Sequence, residues 1–174
     1  MKILIQLISI YRAIAMFIFI LFYTIIPQHI NLALLVTAIL SDLLDGYLAR
    51  KYNLASTGGK LLDLFSDKYL NCISIIYLII EHFPLLPLIL ILTKEVFVLS
   101  FRSIEINGRF VISTNRFIGG LMSTILWIVV FFHISNISFL NLNIIVLILG
   151  LLNLFYLVYK IVSNISSLEK IFKK

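Results

Sequence analysis

Long apolar runs separated by short polar connections constrain this chain more than any other feature of its sequence. Only 13% of the 174 residues are charged, compared with about 25% in soluble domains, and the mean hydropathy is +1.11. A helix needs about 20 apolar residues to cross the hydrocarbon core of a bilayer. Runs of about that length predict six transmembrane helices, at 13–27, 31–51, 59–81, 86–106, 114–134 and 141–161.

Two further features of the predicted fold are the segment before the first span and the number of domains. Residues 2–11 are expected to form a short amphipathic or interfacial helix. Arg12 interrupts the first apolar run and no small-residue cleavage site follows it, which argues against a signal peptide. No repeat or linker divides the sequence. We therefore predict an all-α integral membrane protein with one domain over residues 1–174.

The distribution of basic residues predicts an orientation in the membrane. The connections near residues 27–31, 81–87 and 133–141 contain no Lys or Arg. The alternate connections and the termini carry the basic residues, among them Lys2, Arg12, Arg50, Lys51, Lys60, Arg102, Arg109, Arg116, Lys160, Lys170, Lys173 and Lys174. Because cytoplasmic loops are enriched in Lys and Arg, both termini are predicted to be cytoplasmic.

Two other function classes are not favoured by the sequence. The three histidines (His29, His82 and His133) fall in the opposite connections, so we interpret them as loop residues rather than metal ligands. The aromatic residues lie within the predicted spans instead of on a basic face, so nucleic acid is not a predicted partner.

All four aspartates of the chain lie within 26 residues, between two apolar runs. Asp42 and Asp45 are three residues apart near the end of the second predicted helix, and Asp63 and Asp67 are four apart at the start of the third. Such spacings place each pair on one helix face, and a short connection makes the helices antiparallel neighbours. Four adjacent carboxylates repel one another unless cations neutralise them. Ligands that are all oxygen favour Mg²⁺ or Mn²⁺ over zinc.

Small and basic residues surround the aspartates. Gly46 and Ala49 clear space beside the acidic face, and Gly59 lets the backbone of the third helix approach a ligand. Arg50 carries a planar fork that suits a phosphate. Two alternatives are a purely structural cluster neutralised by Arg50, Lys60 and Lys68, and a divalent-cation transporter. A transporter would place acidic residues in several spans, whereas here they cluster at one side.

The string Asp42-x2-Asp45-Gly46-x2-Ala49-Arg50-x8-Gly59-x3-Asp63-x3-Asp67 resembles, without a gap or substitution, the signature of the CDP-alcohol phosphatidyltransferases. The resemblance implies that the four aspartates bind two divalent ions, Mg²⁺ or Mn²⁺, and that Asp67 is also the base. It implies that Gly46, Ala49, Arg50 and Gly59 hold the CDP group of CDP-diacylglycerol. It further implies a homodimer among the lipids of a bacterial inner membrane, with a cytoplasmic site.

Weaker resemblances bear on the acceptor of the phosphatidyl group. Gln6-x2-Ser9-x2-Arg12, Lys68 and the segment 94–102 are similar to features of the phosphatidylglycerophosphate synthase branch. They imply glycerol 3-phosphate as acceptor, with its phosphate bound by residues among Arg102, Arg116, Lys94 and Lys68. These cations can also be orientation markers or partners of Glu95 and Glu105.

One departure from the family pattern keeps the acceptor open. The family usually reads Gly-Lys-x-Lys-Thr where this chain has Gly119-Gly120-Leu121-Met122-Ser123-Thr124, without either lysine. A cardiolipin synthase, or a relative with another acceptor, is therefore the alternative function.

Overall fold

The computed structural model of the protein describes residues 2–51, 57–102, 105–106, 109–110, 116–137 and 141–163. Side chains are described for residues 7–42, 44, 65–66, 68–98, 100, 118–137 and 141–163. The described residues form six helices: α1 (Lys2–Phe22), α2 (Gln28–Lys51), α3 (Thr57–Ile80), α4 (Leu85–Arg102), α5 (Arg116–Ile134) and α6 (Leu142–Ser163). The predicted helical fold is confirmed, and each predicted helix matches one of these six.

The prediction of a separate interfacial helix over residues 2–11 is wrong. α1 runs without a break through Arg12, so the N-terminal segment and the first predicted span are one helix. Arg12 does not interrupt the helix, because arginine is a good helix former. Its side chain is fully buried and forms an ion pair with Asp42. An arginine that is paired in this way is compatible with an otherwise apolar helix.

The fourth predicted helix is shorter than expected. α4 ends at Arg102, and residues 105–106 belong instead to β1 (Glu105–Ile106), which pairs antiparallel with β2 (Arg109–Phe110). The intervening sequence is Asn107-Gly108, the dipeptide that most favours a two-residue hairpin turn. Local turn chemistry therefore overrides the apolar pattern at this point.

α3 and α5 end in the same type of capping motif. His82 and Asn136 follow these helices with φ angles of 60° and 54°. In each case the next residue donates its N–H to a carbonyl five residues earlier, Phe83 to Leu78 at 3.0 Å and Ile137 to Phe132 at 3.2 Å. This is the Schellman arrangement, which satisfies carbonyls that the helix leaves unpaired.

The described contacts divide the chain into two compact units, one formed by Met1–Tyr77 with Trp127–Leu140 and the other by Leu78–Leu126 with Asn141–Lys174. In the first unit, α1 and α2 are antiparallel. Tyr11 Oη lies 3.0 Å from Thr37 Oγ1, and Asn31 Nδ2 donates to the Tyr23 carbonyl at 2.8 Å. The buried Asn31 side chain thus fixes the turn between the two helices.

α3 runs in the same direction as α1. The Ser66 hydroxyl donates to the Ser9 carbonyl at 2.8 Å. The ring centroids of Phe19 and Tyr77 lie 5.3 Å apart, and this second contact is about as many residues beyond Ser9 on α1 as it is beyond Ser66 on α3. α2 and α3 are therefore antiparallel, as predicted.

The last two turns of α5 lie beside α3 in the first unit. Trp127 Nε1 donates to Asn71 Oδ1 at 2.8 Å, and Tyr77 Oη is 2.9 Å from His133 Nδ1. From the first contact to the second, the chain advances six residues on α3 (Asn71 to Tyr77) and six on α5 (Trp127 to His133). This part of α5 is therefore parallel to α3.

In the second unit, α4 and α6 approach closely at a glycine. A Cβ atom added to Gly150 would lie 2.5 Å from the Cβ of Pro87 and 2.6 Å from its Cα. Only glycine fits this contact without displacing one helix. Pro87 is accommodated because it lies in the first turn of α4, where a missing N–H breaks no helical hydrogen bond.

Among the described residues, α6 is the one helix that is both long and apolar enough to cross a membrane, with 22 residues and an 18-residue stretch whose mean hydropathy is 2.3. Shorter apolar stretches lie at Leu7–Phe22, Lys68–Ile80 and Ile118–Ile134. A 22-residue helix is about 33 Å long, against a hydrocarbon core of about 30 Å. The division into six transmembrane spans stays a prediction, as does the single domain.

Candidate active site

The four aspartates lie on two antiparallel helices, in the C-terminal half of α2 and in the N-terminal half of α3. Asp42 and Asp45 are in α2, and Asp63 and Asp67 are in α3. Because both segments are α-helical, each pair shares one helix face. The backbone of both segments thus has the helical periodicity predicted from the spacing of the aspartates.

α1 holds these two helices at a common level. Arg12 Nη1 donates to Asp42 Oδ1 on α2, and the Ser9 carbonyl accepts from Ser66 on α3. Ser9 and Arg12 are separated by about 4.5 Å along α1. Ser66 directly precedes Asp67 in sequence. The backbone positions of the first and last aspartates of the signature therefore lie at similar heights along this unit.

Asp42 is the signature residue whose side chain the structure describes. Its side chain is 24% exposed, whereas that of Arg12 has no exposed surface. The sequence pattern places Arg12 in a motif that bears on the acceptor, but that motif does not predict a contact between Arg12 and the aspartates. The contact could have been predicted from the sequence. Arg12 and Asp42 are equally distant from Pro27, and two antiparallel helices joined by a tight turn bring residues at equal distances from the turn next to each other.

The other signature side chains lie outside the part of the chain whose side chains are described. They are Asp45, Gly46, Ala49, Arg50, Gly59, Asp63 and Asp67. Among the described side chains alone, no three His, Cys, Asp or Glu residues form a metal site. The chemistry of the donor set nevertheless fits a hard divalent cation, since all four groups are carboxylates.

The candidate acceptor residues are divided between the two units. Lys94 is buried in α4, where its Nζ forms an ion pair with Glu95 Oε1. Lys68 is half-buried in α3 of the first unit. Arg102 ends α4 and Arg116 begins α5, and their side chains lie outside the described set.

The segment 119–124, which lacks the two lysines of the Gly-Lys-x-Lys-Thr pattern, lies on α5. A Cβ added to Gly119 or Gly120 would meet no atom within 4 Å, so neither glycine is required by packing. Ser123 is buried and its hydroxyl donates to the Gly119 carbonyl at 3.2 Å. The structure thus gives no packing reason for the glycines in this segment.

The described fold defines a class of protein: an apolar helical protein in which two antiparallel helices carry the four aspartates. A sequence model of the CDP-alcohol phosphatidyltransferases matches residues 3–161, most of the chain. The chain belongs to the CDP-alcohol phosphatidyltransferase family.

Individual relatives match over shorter segments. The CDP-diacylglycerol–glycerol-3-phosphate 3-phosphatidyltransferase of Rickettsia typhi is 37% identical over 78 residues, 44% of this chain and 44% of the relative. The protein of the same name from Mycoplasma genitalium is 36% identical over 83 residues, 47% of this chain and 35% of the relative. A cardiolipin synthase (CMP-forming)/mitochondrial hydrolase fusion protein of Schizosaccharomyces pombe is 41% identical over 61 residues, 34% of this chain and 10% of the relative. The matched segments span less than half the length of these relatives.

Proposed function

We propose that this protein transfers the phosphatidyl group of CDP-diacylglycerol to the 1-hydroxyl of sn-glycerol 3-phosphate, yielding phosphatidylglycerophosphate and CMP. The observation that carries the proposal is the complete aspartate signature, placed on two antiparallel helices of a chain that belongs to this family. The names of the Rickettsia and Mycoplasma relatives support the choice of acceptor.

The reaction requires one bond to form and one to break at the phosphorus that carries diacylglycerol. The acceptor hydroxyl oxygen attacks this phosphorus, and the bond to the oxygen shared with the CMP phosphate breaks, so that CMP leaves. We assign the hydroxyl proton to Asp67. In phosphoryl transfer the protein contributes chiefly position and neutralising charge, and a positioned carboxylate is sufficient to accept one proton.

The carboxylates of Asp42, Asp45, Asp63 and Asp67 would hold Mg²⁺ or Mn²⁺, two ions by the family resemblance. When bound, such cations neutralise the pyrophosphate oxygens and the charge that develops on the leaving group. Gly46, Ala49 and Gly59 would leave room for the CDP group, and Arg50 would contact its phosphate.

The phosphate of the acceptor would be bound by Arg102 and Arg116, with Lys68 as a further candidate. Lys94 is the weakest of the four candidates, because its ammonium is buried against Glu95. A buried ion pair keeps its partners together, since separating them would leave an uncompensated charge.

We place the protein in a bacterial cell membrane with the aspartates and both termini in the cytoplasm, and the family resemblance adds a homodimer. The helix directions in the first unit support this orientation, because the C-terminal end of α2 and the N-terminal ends of α1 and α3 lie on one side. That side carries Lys2, Arg50, Lys51 and Lys60 in the sequence, whereas the connection from α1 to α2 has no Lys or Arg.

A cardiolipin synthase is the second candidate, in which phosphatidylglycerol replaces glycerol 3-phosphate. Two observations favour it: the match to the Schizosaccharomyces pombe protein, and the missing lysines after Gly120. The N-terminal motif, Lys68 and the segment 94–102 weigh against it.

The test is CMP release from CDP-diacylglycerol by the purified protein, with one candidate acceptor supplied at a time. We expect turnover with glycerol 3-phosphate far above that with glycerol, inositol or serine. Excess chelator should abolish the reaction, and Mg²⁺ or Mn²⁺ should restore it. Efficient turnover with phosphatidylglycerol would make the protein a cardiolipin synthase, and full turnover in chelator would overturn the role of the cation.

A further inference from the structure

No step of the proposed transfer uses the motif Gln6-x2-Ser9-x2-Arg12, yet two of its residues, Ser9 and Arg12, contact both aspartate-bearing helices. Arg12 donates to the Asp42 carboxylate, and the Ser9 carbonyl accepts from Ser66, next to Asp67 in sequence. Ser9, Arg12 and Ser66 are all buried. α1 therefore connects α2 and α3 near their acidic residues.

Burial makes the Arg12 contact with Asp42 costly to break. A guanidinium remains charged at every physiological pH, and removing it from water is unfavourable unless an acceptor compensates the charge. Because Arg12 has no exposed surface, loss of its contact with Asp42 would leave its charge without compensation from bulk water.

The contact is compatible with cation binding by the same carboxylate. A carboxylate has about four lone-pair positions on two oxygens, so the bond from Arg12 to Asp42 Oδ1 occupies one of several directions. Groups that hydrogen-bond to a metal ligand fix its orientation, and their removal typically lowers metal affinity about 10- to 100-fold.

We propose that Arg12 is a positioning residue that holds the Asp42 carboxylate in the orientation in which it binds the divalent cation. This inference rests on the proposed function, since it takes Asp42 as a cation ligand. It gives the N-terminal helix a role in the site that none of the signature residues supplies.

Whether loss of Arg12 weakens or strengthens cation binding separates a positioning role from a purely electrostatic one. Removing a positive charge near a cation site should strengthen cation binding by Coulomb's law. Removing a group that orients a ligand should weaken it. A purely structural role would lower the thermal stability of the protein and leave the cation affinity of the folded protein unchanged.

The experiment is a titration of the purified full-length protein in lipid nanodiscs with Mn²⁺ alone, in which electron paramagnetic resonance measures free Mn²⁺. Arg12→Gln should bind Mn²⁺ about 10- to 100-fold more weakly than the unmodified protein. Arg12→Lys retains the charge without the planar fork, so it should show a smaller loss. Tyr11→Phe is the matched control, because it removes the neighbouring contact to Thr37 on α2 and should leave Mn²⁺ affinity unchanged.

Unchanged or tighter Mn²⁺ binding by Arg12→Gln would overturn the inference. If Arg12→Gln does not fold, Arg12→Lys decides: weaker binding at an unchanged melting temperature supports positioning, and unmodified affinity overturns it. An equal loss in Tyr11→Phe would show that the α1–α2 packing, not Arg12, sets the affinity. If the unmodified protein binds no Mn²⁺, the cation part of the proposed function fails instead.

Discussion

At the scale of single residues, the four aspartates are chemically alike but should not be equivalent. Asp42 is held by Arg12 and is proposed to bind only the cation, whereas Asp67 is proposed to accept a proton as well. Asp67→Asn should therefore lower the rate at least about 10²-fold, the lower range for loss of a general base. Binding of CDP-diacylglycerol should be weakened less than in Asp42→Asn.

These two effects are measured separately, by single-turnover CMP release and by equilibrium binding of CDP-diacylglycerol in the presence of Mg²⁺. If both variants lose binding equally, Asp67 is a cation ligand without a separate role as base.

The basic residues at the ends of α4 and α5 give a second prediction at this scale. A buried hydrogen bond to a charged group contributes about 1.5–3 kcal/mol, so Arg102→Ala or Arg116→Ala should lower kcat/KM for glycerol 3-phosphate roughly 10- to 150-fold. Binding of CDP-diacylglycerol serves as the internal control and should change little. An equal loss of CDP-diacylglycerol binding would assign these arginines to the nucleotide or to folding.

At the scale of helices, the contact between α4 and α6 should be the least tolerant of added volume. Gly150→Ala introduces a Cβ 2.5 Å from that of Pro87, so one helix must move. Overpacking of this kind costs about 1–3 kcal/mol. Gly120→Ala is the matched control, because nothing lies within 4 Å of its new Cβ and alanine favours a helix.

Thermal unfolding of the two variants in the same detergent tests this difference. Gly150→Ala should unfold at a lower temperature than the unmodified protein, and Gly120→Ala at the same or a higher temperature. Equal melting temperatures would mean that α4 and α6 separate without cost.

At the scale of the whole molecule, the orientation in the membrane is open to a test on one helix. α6 is the described helix that is long and apolar enough to span, and Asn143 and Ser163 are exposed near its two ends. In a Cys72→Ser background, Asn143→Cys should react with an impermeant maleimide in intact cells. Ser163→Cys should react only after permeabilisation, because the positive-inside rule places this end in the cytoplasm. The reverse pattern would invert the proposed topology.

The sequence determined the helical fold, the approximate bounds of six helices and the family. These properties depend on local pattern: apolar runs set the helices, and eight signature residues between Asp42 and Asp67 have fixed spacing. Where the apolar pattern was misleading, at the end of α4, the Asn107-Gly108 dipeptide carried the correct local signal. The antiparallel arrangement of α2 and α3 also followed from a short connection.

Tertiary structure alone decided the partners of buried polar groups. Arg12 looked like an interruption before a membrane span, and it is instead a fully buried residue within α1 that pairs with the first aspartate of the signature. The hydrogen bonds from Ser66 to Ser9 and from Trp127 to Asn71 connect residues more than 50 positions apart. Sequence periodicity shows which face of a helix is polar, but the partner on that face depends on how separate helices pack, because a buried polar group must find its acceptor wherever the fold brings one near.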